Sequence, residues 1–479
     1  MLETVKTFTS LNLLPNQNLS PNGLNPEKNV NLLTAEEYGI TSLGFLPEKC
    51  LNELPPGWHH FQPLLDKLSS DDDDDFRALV HTMPPYSPSL YSLTGLSQGQ
   101  KRFLYSILTM CMQKYIWGTG TSAPVDIIPQ ELGAPLFEIS NEFGLLPALT
   151  YAGVILYNWS TKDESQPVTL DNLQVCQRLT KVYSFEWFCL VHVAIEAEGG
   201  KVLIPILNIK KNMQDNDLKI IKQTLRDVIS VMKSTKDVLN RMYEKCTPED
   251  FWTFRFYFEG TNDEKFFPNG LRIKGFEDKP IVVRGASGGQ SPLMQIFDAL
   301  FSIEHVGHGK EFLIEMRDYM LSSHRKFLED FSMGQTLKDF VENSGDEELQ
   351  EIFIEGVDTF TAYRQYHYTI AHDYIFKMIK RNQIDIVRER KDTETELYKK
   401  NETGTGGTDA PRFLKQTILA TKETRTLQIK EDHEGSLKNQ GKGSAKIKLD
   451  ISINRTIIEN LLLSLIVAIM GSFLMRMLM

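Results

Sequence analysis

Cysteine is scarce in this chain and is never paired along the sequence. The 479 residues contain five cysteines, with no CxxC motif and no spacing typical of a zinc site. A CxxCH motif is also absent, which excludes covalent haem attachment of the c type. Isolated thiols favour a reducing compartment over a secreted, disulfide-linked protein. The cysteines are Cys50, Cys111, Cys176, Cys189 and Cys246.

Basic residues are in the minority. The chain has 52 Lys and Arg against 63 Asp and Glu, a net charge of −11, and no basic face interleaved with aromatic residues. This pattern argues against nucleic acid as the principal partner. The N-terminus lacks the order of a secretory signal and has too few arginines for a transit peptide. We interpret residues 1–30, rich in Asn, Leu and Pro, as a disordered lead-in.

Nucleotide-binding motifs are missing, although two loops are rich in glycine. The first covers residues 284–291 before a predicted helix, and the second covers residues 403–409 after a charged stretch. Neither has the lysine of a P-loop or opens a βαβ unit, which disfavours nucleotide binding. Such loops instead let the backbone approach a flat or crowded ligand, with Ser287, Thr405 and Thr408 as hydroxyl donors.

The patterns that are present indicate a mostly helical protein. A hydrophobic content of 41% supports a large core. A polar break near residues 160–180 predicts two helical domains, 31–179 and 180–420, followed by a polar linker at 421–454 and an apolar tail at 455–479. We therefore predict an all-α, two-domain fold that ends in an apolar helix. Helical spacing marks residues 99–117, 215–246, 291–303, 310–322 and 347–378.

The C-terminal tail has the composition of a membrane segment. Its apolar stretch begins with Ile457, ends with Met475, and is interrupted by Glu459, Asn460 and two serines. A helix needs about 20 apolar residues to span a bilayer, so this stretch is at the lower limit. The alternative is an amphipathic helix packed on the globule or lying in the membrane interface. We favour a tail anchor, which leaves a globular part, expected to be monomeric, facing the cytosol.

A histidine interrupts the apolar stripe of the helix predicted over 347–378. A neutral imidazole in such a stripe is either a hydrogen-bonded core residue or a metal ligand, as in haem proteins, and periodicity leaves both open. His372 lies five residues beyond His367 and leaves the stripe. Arg364 lies on the adjoining face, where it suits an anion such as a porphyrin propionate. The stripe consists of Leu349, Phe353, Gly356, Phe360, Tyr363, His367, Ile370, Tyr374 and Met378.

Seven short blocks together resemble the indoleamine 2,3-dioxygenase family. They occur in family order over residues 35–420, and their combination is specific although each alone is weak. The resemblance implies haem b between a small N-terminal and a large C-terminal helical domain, with His367 as the proximal iron ligand. The blocks are YIWGTG at 115–120, LPALTYA at 146–152, FRFYFEG at 254–260, GASGGQ at 285–290, HRKFL at 324–328, YRQYH at 363–367 and GTGGTD at 404–409.

The same resemblance implies roles for individual residues. Arg255 matches the arginine that pairs with the carboxylate of L-tryptophan, for which a guanidinium fork is well suited. Thr405 matches a hydroxyl that reaches the substrate carboxylate or ammonium. Tyr151 and Phe188 match walls of the indole pocket, and Phe251 lies beside them. The other matches are the loop positions Gly288 and Gly289, with Ser287 as a cofactor donor, and Arg364 as a haem-propionate partner.

Two positions depart from the family pattern. His192 replaces a serine, and is either a distal imidazole that hydrogen-bonds dioxygen or the indole NH, or a packed core residue. Asp250 replaces a phenylalanine near the substrate carboxylate. Its charge would compete with that carboxylate for Arg255 unless the side chain lies outside the pocket.

The reaction implied by the resemblance is oxidative opening of the indole ring. L-Tryptophan or a related indoleamine and O2 give N-formylkynurenine, the first step of the kynurenine pathway towards NAD, and no strong acid or base is required. Two alternatives stay open. One is a haem protein of the same fold that binds oxygen without efficient tryptophan oxidation, and the other is a membrane-anchored scaffold whose haem site is empty.

Overall fold

The computed structural model describes residues 32–120, 124–264, 266–275, 280–381 and 409–428. These residues form a mostly helical structure, as the sequence predicts. The helices are α1 (Gln62–Lys67), α2 (Asp73–His81), α3 (Gln98–Trp117), α4 (Gln130–Phe143), α5 (Tyr183–Gly200), α6 (Leu203–Gln214), α7 (Leu218–Asn240), α8 (Met242–Lys245), α9 (Pro248–Phe254), α10 (Pro292–Leu300), α11 (Gly307–Met316), α12 (Ser322–Phe331), α13 (Leu337–Asn343), α14 (Glu347–Ala371) and α15 (Ala410–Glu423).

The long helix α14 carries the His367 stripe. It begins after Asp346, whose side chain caps it by accepting a hydrogen bond from the Leu349 backbone NH at 2.8 Å. Acidic residues in its first turn favour the positive end of the helix dipole. After Ala371 the chain makes a π-helical turn, His372–Phe376, and remains helical to residue 381. The helix predicted over 347–378 is therefore confirmed, with one turn widened from α to π.

Three helices of the described structure pack side by side. Helix α7 lies between α5 and α14, and α15 packs on α14 as well. Close approach is needed at Gly356 of α14, where an added Cβ would lie 2.5 Å from Cε1 of Phe301. Helix α5 is buried over most of its length, and apolar residues accordingly occur on all of its faces, with a few polar residues among them. This arrangement brings polar residues of α5 and α14 to one interior space.

Several element boundaries differ from the sequence-based prediction. The segment 215–246 is two helices rather than one, since α7 begins after its N-cap Asp217 and the chain breaks at Arg241 before α8. Helix α11 starts earlier than predicted, at Gly307. It ends at Met316, before a short 3-10 turn, Arg317–Tyr319, and the separate helix α12.

Four short strands were not predicted from the sequence. Strands β1 (Ile127–Ile128) and β4 (Arg272–Ile273) pair in parallel, and β2 (Trp159–Thr161) and β3 (Leu173–Val175) pair antiparallel. Each strand has only two or three residues, which is too short for an alternating pattern to emerge. The mostly helical architecture agrees with the all-α prediction, and the two small ladders are additions to it.

The predicted domain boundary near residue 180 stays a prediction, as do the lead-in at 1–30 and the tail at 455–479. Both terminal segments lie outside the described residues. Within the described ranges, no helix has the length and hydropathy needed to cross a membrane.

Candidate functional site

A cavity lies between α5, α14, α15 and the loop that leads into α10. Its volume is about 290 Å³. Most of its wall is apolar, which is typical of a site for a small organic ligand or cofactor. The wall includes most of the residues predicted for the site: Tyr151, Phe188, His192, Phe251, Ser287, Gly288, Gly289, Arg364 and His367.

His367 faces this cavity from α14 without a polar partner. Its ring makes no hydrogen bond within the described ranges, so neither nitrogen is committed to the protein there. Loss of solvation, with smaller effects from His192 and Arg364, lowers the pKa of His367 to about 4. The imidazole is therefore neutral near pH 7. Its free lone pair is the feature that a haem iron or another Lewis acid requires.

His192 faces the same cavity from α5 in a defined tautomer. Its Nδ1 lies 2.8 Å from the backbone carbonyl oxygen of Phe188. Because that oxygen can only accept, Nδ1 carries the proton and Nε2 keeps its lone pair. Burial also lowers the pKa of His192. The ring therefore offers the cavity an acceptor rather than a donor.

Aromatic rings surround His192. The Phe188 ring centroid lies 4.6 Å from that of His192, and the Phe251 centroid lies 5.2 Å from that of Phe188. Tyr151 meets His192 edge to face at 6.2 Å. These distances are typical of packed aromatic pairs, and the rings form an apolar wall suited to a flat aromatic ligand.

A buried carboxyl group, which the sequence analysis did not identify, also lines the cavity. Glu196 follows His192 by one turn of α5 and is 1% exposed. Its Oε1 accepts hydrogen bonds from the Tyr151 hydroxyl at 2.9 Å and the Ser291 hydroxyl at 2.5 Å, whereas Oε2 has no partner among the described residues. Burial raises the pKa of Glu196 to about 7. An acid four residues after His192, on the same face of a mostly apolar helix, was the available signal.

Arg364 connects three elements at the edge of the cavity. Its guanidinium donates to Asp298 of α10 and, on α15, to the Thr417 carbonyl at 3.2 Å and the Thr421 hydroxyl. Asp298 is also 3.0 Å from Nε2 of His305. Burial alone would raise the pKa of Asp298, but Arg364 and His305 hold it below its ordinary value. The carboxylate therefore stays charged, and Arg364 fixes α15 against α14.

The first glycine-rich loop, residues 284–291, closes another side of the cavity. The Ser287 hydroxyl accepts a hydrogen bond from the Gly289 backbone NH at 3.2 Å, which shapes the turn. A Cβ added at Gly288 would meet nothing within 4 Å, whereas one at Gly289 would lie 3.1 Å from Cε1 of Phe312. The backbone at Gly288 therefore borders open space that a ligand can approach closely.

The residues predicted at or near the substrate carboxylate are not among the described residues that line the cavity. Arg255 Nη1 pairs with Oε1 of Glu259 at 2.9 Å, both residues are buried, and neither belongs to the described cavity lining. Asp250 accepts a hydrogen bond from the Ser184 hydroxyl at 2.6 Å and likewise lies outside that lining. Thr405 and Thr408 fall outside the described residues. The pairing of Arg255 had a visible signal, since Glu259 is four residues away.

Comparison with known proteins agrees with the blocks recognised in the sequence. The family model described as indoleamine 2,3-dioxygenase matches residues 34–424. The chain belongs to the indoleamine 2,3-dioxygenase family. It is 30% identical to indoleamine 2,3-dioxygenase 1 of Rattus norvegicus over 81% of this chain and 95% of that protein. It is 28% identical to indoleamine 2,3-dioxygenase 2 of Homo sapiens over 82% and 95%.

A relative with a different name is also similar to this member of the indoleamine 2,3-dioxygenase family. Myoglobin of Haliotis madaka is 29% identical over 78% of this chain and 94% of that protein. The identities to differently named proteins are nearly equal, so overall identity does not decide between their activities. The difference between these activities must therefore depend on the residues that line the cavity.

Proposed function

We propose that this protein is a haem-dependent dioxygenase that opens the indole ring of L-tryptophan, or of a related indoleamine, with O2 to give N-formylkynurenine. This product is the first of the kynurenine pathway, which leads towards NAD. The observation that carries the proposal is the unpartnered His367 imidazole in an apolar, aromatic-walled cavity. Membership of the indoleamine 2,3-dioxygenase family supports the reaction class.

The residues of the cavity suit haem b, with one iron per chain. His367 would hold the iron, since its lone pair faces the cavity and its pKa keeps it neutral. Arg364 lies at the edge, where a propionate would share its guanidinium with Asp298, and Ser287 adds a hydroxyl. The space beside Gly288 would admit the flat edge of a macrocycle. Haem, when bound, supplies the electronic chemistry with dioxygen that side chains lack.

The chain's own contribution is to position the indole ring and exclude water. Phe188, Phe251 and Tyr151 would wall the ring, and the Nε2 lone pair of His192 would accept a hydrogen bond from the indole NH. Of the two distal roles open to His192 from the sequence, the tautomer supports this one. An apolar wall also strengthens polar contacts at the reacting ring, because competing water is absent.

The substrate carboxylate is assigned to Arg255 and Thr405 through the family resemblance. Arg255 now pairs with Glu259, so binding the carboxylate requires its guanidinium to exchange that partner or share itself between the two. We expect Arg255→Ala to keep the haem spectrum and to raise the L-tryptophan requirement about tenfold or more, the loss of a charge-assisted contact. Tryptamine, which lacks the carboxylate, is the matched ligand. Equal changes for both ligands would contradict the assignment.

The direct test is product formation. Purified haem-loaded protein is reduced and mixed with oxygen and L-tryptophan, and N-formylkynurenine is identified by chromatography and mass spectrometry. Haem-free protein and the His367→Ala variant serve as controls. Incorporation of both atoms from isotopically labelled O2 supports a dioxygenase, and absence of product from a fully haem-loaded sample contradicts the proposal.

A second candidate function is an oxygen-binding haem protein that does not oxidise tryptophan efficiently. It is favoured by the pairing of Arg255 with Glu259 and by similarity to the Haliotis protein named myoglobin. The same samples distinguish the two functions. Reversible oxygen spectra that tryptophan does not alter, without N-formylkynurenine, would favour oxygen binding.

We propose that the tail beyond residue 454 anchors the protein in an intracellular membrane, with a monomeric globular part in the cytosol. The support is its composition from Ile457 to Met475 after a polar linker. Fractionation of cells that express the full chain, or a chain ending at residue 454, tests this. Equal partition of both chains into the soluble fraction would contradict it, and carbonate extraction distinguishes a spanning tail from an interfacial one.

A further inference from the structure

We propose that Tyr374 and Tyr243 form a path for electrons between the cavity and the protein surface. With haem in the cavity, peroxide then oxidises phenolic compounds at the exposed ring of Tyr243, and these compounds need not enter the cavity. The inference rests on the proposed function for the presence of haem, and it adds an activity with a different oxidant.

Tyr374 is the inner end of the path. It belongs to the π-helical turn that follows α14, is 3% exposed, and lines the cavity together with His367. It follows His367 by about two helical turns, on the same stripe. π-Helical turns occur frequently at functional sites. The phenol ring of Tyr374 is therefore held beside the space assigned to haem.

Tyr243 of α8 is the outer end of the path. Its ring centroid lies 5.5 Å from that of Tyr374, and the residue is 42% exposed. Rings at this separation are in contact, so an electron can pass between them without an intervening group. Tyr151 and Tyr363 also line the cavity, but their ring contacts among the described residues are with rings that are not exposed. The contact with Tyr243 therefore distinguishes Tyr374 from these two tyrosines.

The hydrogen bonds of the two phenols give the path a direction. Loss of solvation raises the pKa of both tyrosines, so both start protonated, and an oxidised phenol must release its proton to become a stable neutral radical. Tyr374 donates to the backbone carbonyl of Cys246, a weak base. Tyr243 instead donates to Oδ2 of Asp373 at 3.1 Å. Lys377, whose Nζ lies 2.6 Å from Oδ1, lowers the pKa of Asp373, so this carboxylate is ionised and can accept the proton. We therefore expect the radical to settle on Tyr243.

The proposed reaction balances as a peroxidase reaction. Reduction of one peroxide in the haem-loaded cavity breaks its O–O bond, takes up two electrons and two protons, and gives two waters. Each electron leaves Tyr374 and is replaced from Tyr243, whose proton passes to Asp373 and then to solvent. A phenol at the surface gives a hydrogen atom to the Tyr243 radical and restores the residue. Two phenols thus become two phenoxyl radicals for each peroxide consumed.

The first measurement locates the radical. Haem-loaded protein is mixed with hydrogen peroxide and a nitroso spin trap, and the labelled residues are identified by peptide mass spectrometry at equal haem content. We expect label at Tyr243 in the wild type, loss of most of it in Tyr374→Phe, and a smaller yield in Asp373→Asn, which lacks the proton acceptor. Tyr183→Phe is the matched control, because Tyr183 is 45% exposed and lies outside the described lining. It should leave the label at Tyr243 unchanged.

The second measurement uses a phenol that cannot enter the cavity. Guaiacol coupled to a soluble polymer is too large for a space of about 290 Å³, so its oxidation by peroxide reports reaction at the surface. Free guaiacol can also react inside. We expect Tyr243→Phe to lose oxidation of the polymer-bound phenol and to keep that of free guaiacol. Tyr243→Trp, which restores an oxidisable ring at the same exposed position, should recover the lost reaction.

The outcomes separate this inference from the proposed function. Equal labelling of Tyr243 in the wild type and Tyr374→Phe, or unchanged oxidation of the polymer-bound phenol by Tyr243→Phe, overturns the path. If the wild type forms no N-formylkynurenine but shows label at Tyr243 that depends on Tyr374, the dioxygenase proposal fails and the path stands. If N-formylkynurenine is formed and Tyr243 stays unlabelled, the reverse holds.

Discussion

At the scale of single residues, we predict that the imidazole of His367 holds the haem iron and that its neighbour His372 does not. Replacing His367 with alanine removes the unpartnered lone pair in the cavity, so we expect the purified variant to lose stable haem binding. His372→Ala is the matched control, because that ring is 41% exposed and lies outside the described lining. Haem content and the Soret band measure the effect. Normal haem occupancy in the His367→Ala variant would show that His367 is not the iron ligand.

The tautomer of His192 leads to a prediction that depends on one ligand atom. Because Nδ1 donates to the Phe188 carbonyl, Nε2 can accept from the indole NH but cannot donate to dioxygen while the ring is neutral. His192→Ala should weaken L-tryptophan binding about threefold to tenfold, the loss of a neutral hydrogen bond. Binding of 1-methyltryptophan, which lacks that NH, should change less. A uniform loss for both ligands would instead indicate a packing role.

The site residues differ in how well the sequence alone could predict their environment. The periodicity of α14 is local, so the stripe and the position of His367 in it were predictable. The hydrogen bonds of Glu196 come from Tyr151 and Ser291, which are 45 and 95 residues away in the sequence, so no local pattern reveals them. Arg255 is an intermediate case, because its partner Glu259 was visible at helical spacing but the family resemblance favoured a ligand.

At the scale of helices, the Arg364 side chain links α14 to α15 through hydrogen bonds. Its guanidinium bonds to Thr417 and Thr421 of α15 and to Asp298, and its side chain is 11% exposed. Arg364→Ala should lower the free energy of unfolding by about 3 kcal/mol or more, since it leaves a buried carboxylate without its guanidinium. Amide hydrogen exchange of α15 should become faster, and haem should be lost more readily.

Arg425 provides the control for this helix contact. It pairs with Asp358 of α14 just beyond the end of α15, but its side chain is 59% exposed. Exposed pairs contribute less than about 1 kcal/mol, so Arg425→Ala should leave exchange in α15 and haem content nearly unchanged. If both variants behave alike, the contact between the helices depends on apolar packing rather than on Arg364.

At the scale of the whole molecule, residues far apart in the sequence are joined at α12. His324 of α12 packs 4.7 Å from the ring centroid of Phe45, and the Tyr38 hydroxyl donates to Oδ2 of Asp330 at 2.8 Å. The sequence presented HRKFL at 324–328 only as a family block. Its structural role depends on a segment almost 300 residues earlier, since Tyr38 and Asp330 are 292 positions apart, so periodicity within α12 could not indicate it.

The contact of α12 with Tyr38 and Phe45 should make the stability of the fold sensitive to mild acid. Burial lowers the pKa of His324 to about 3, against 6.5 for an exposed histidine, so the unfolded chain binds the proton first. Its neutral form supports folding fully above pH 6.5, and this contribution falls by about 1 kcal/mol per pH unit as the pH drops from 6.5 towards 3. In urea denaturation, the stability difference between the wild type and His324→Gln should narrow between pH 6.5 and 5. His308→Gln, at an 86% exposed side chain, should show no such narrowing. A constant difference for His324→Gln across this range would mean that His324 accepts a proton in the folded state.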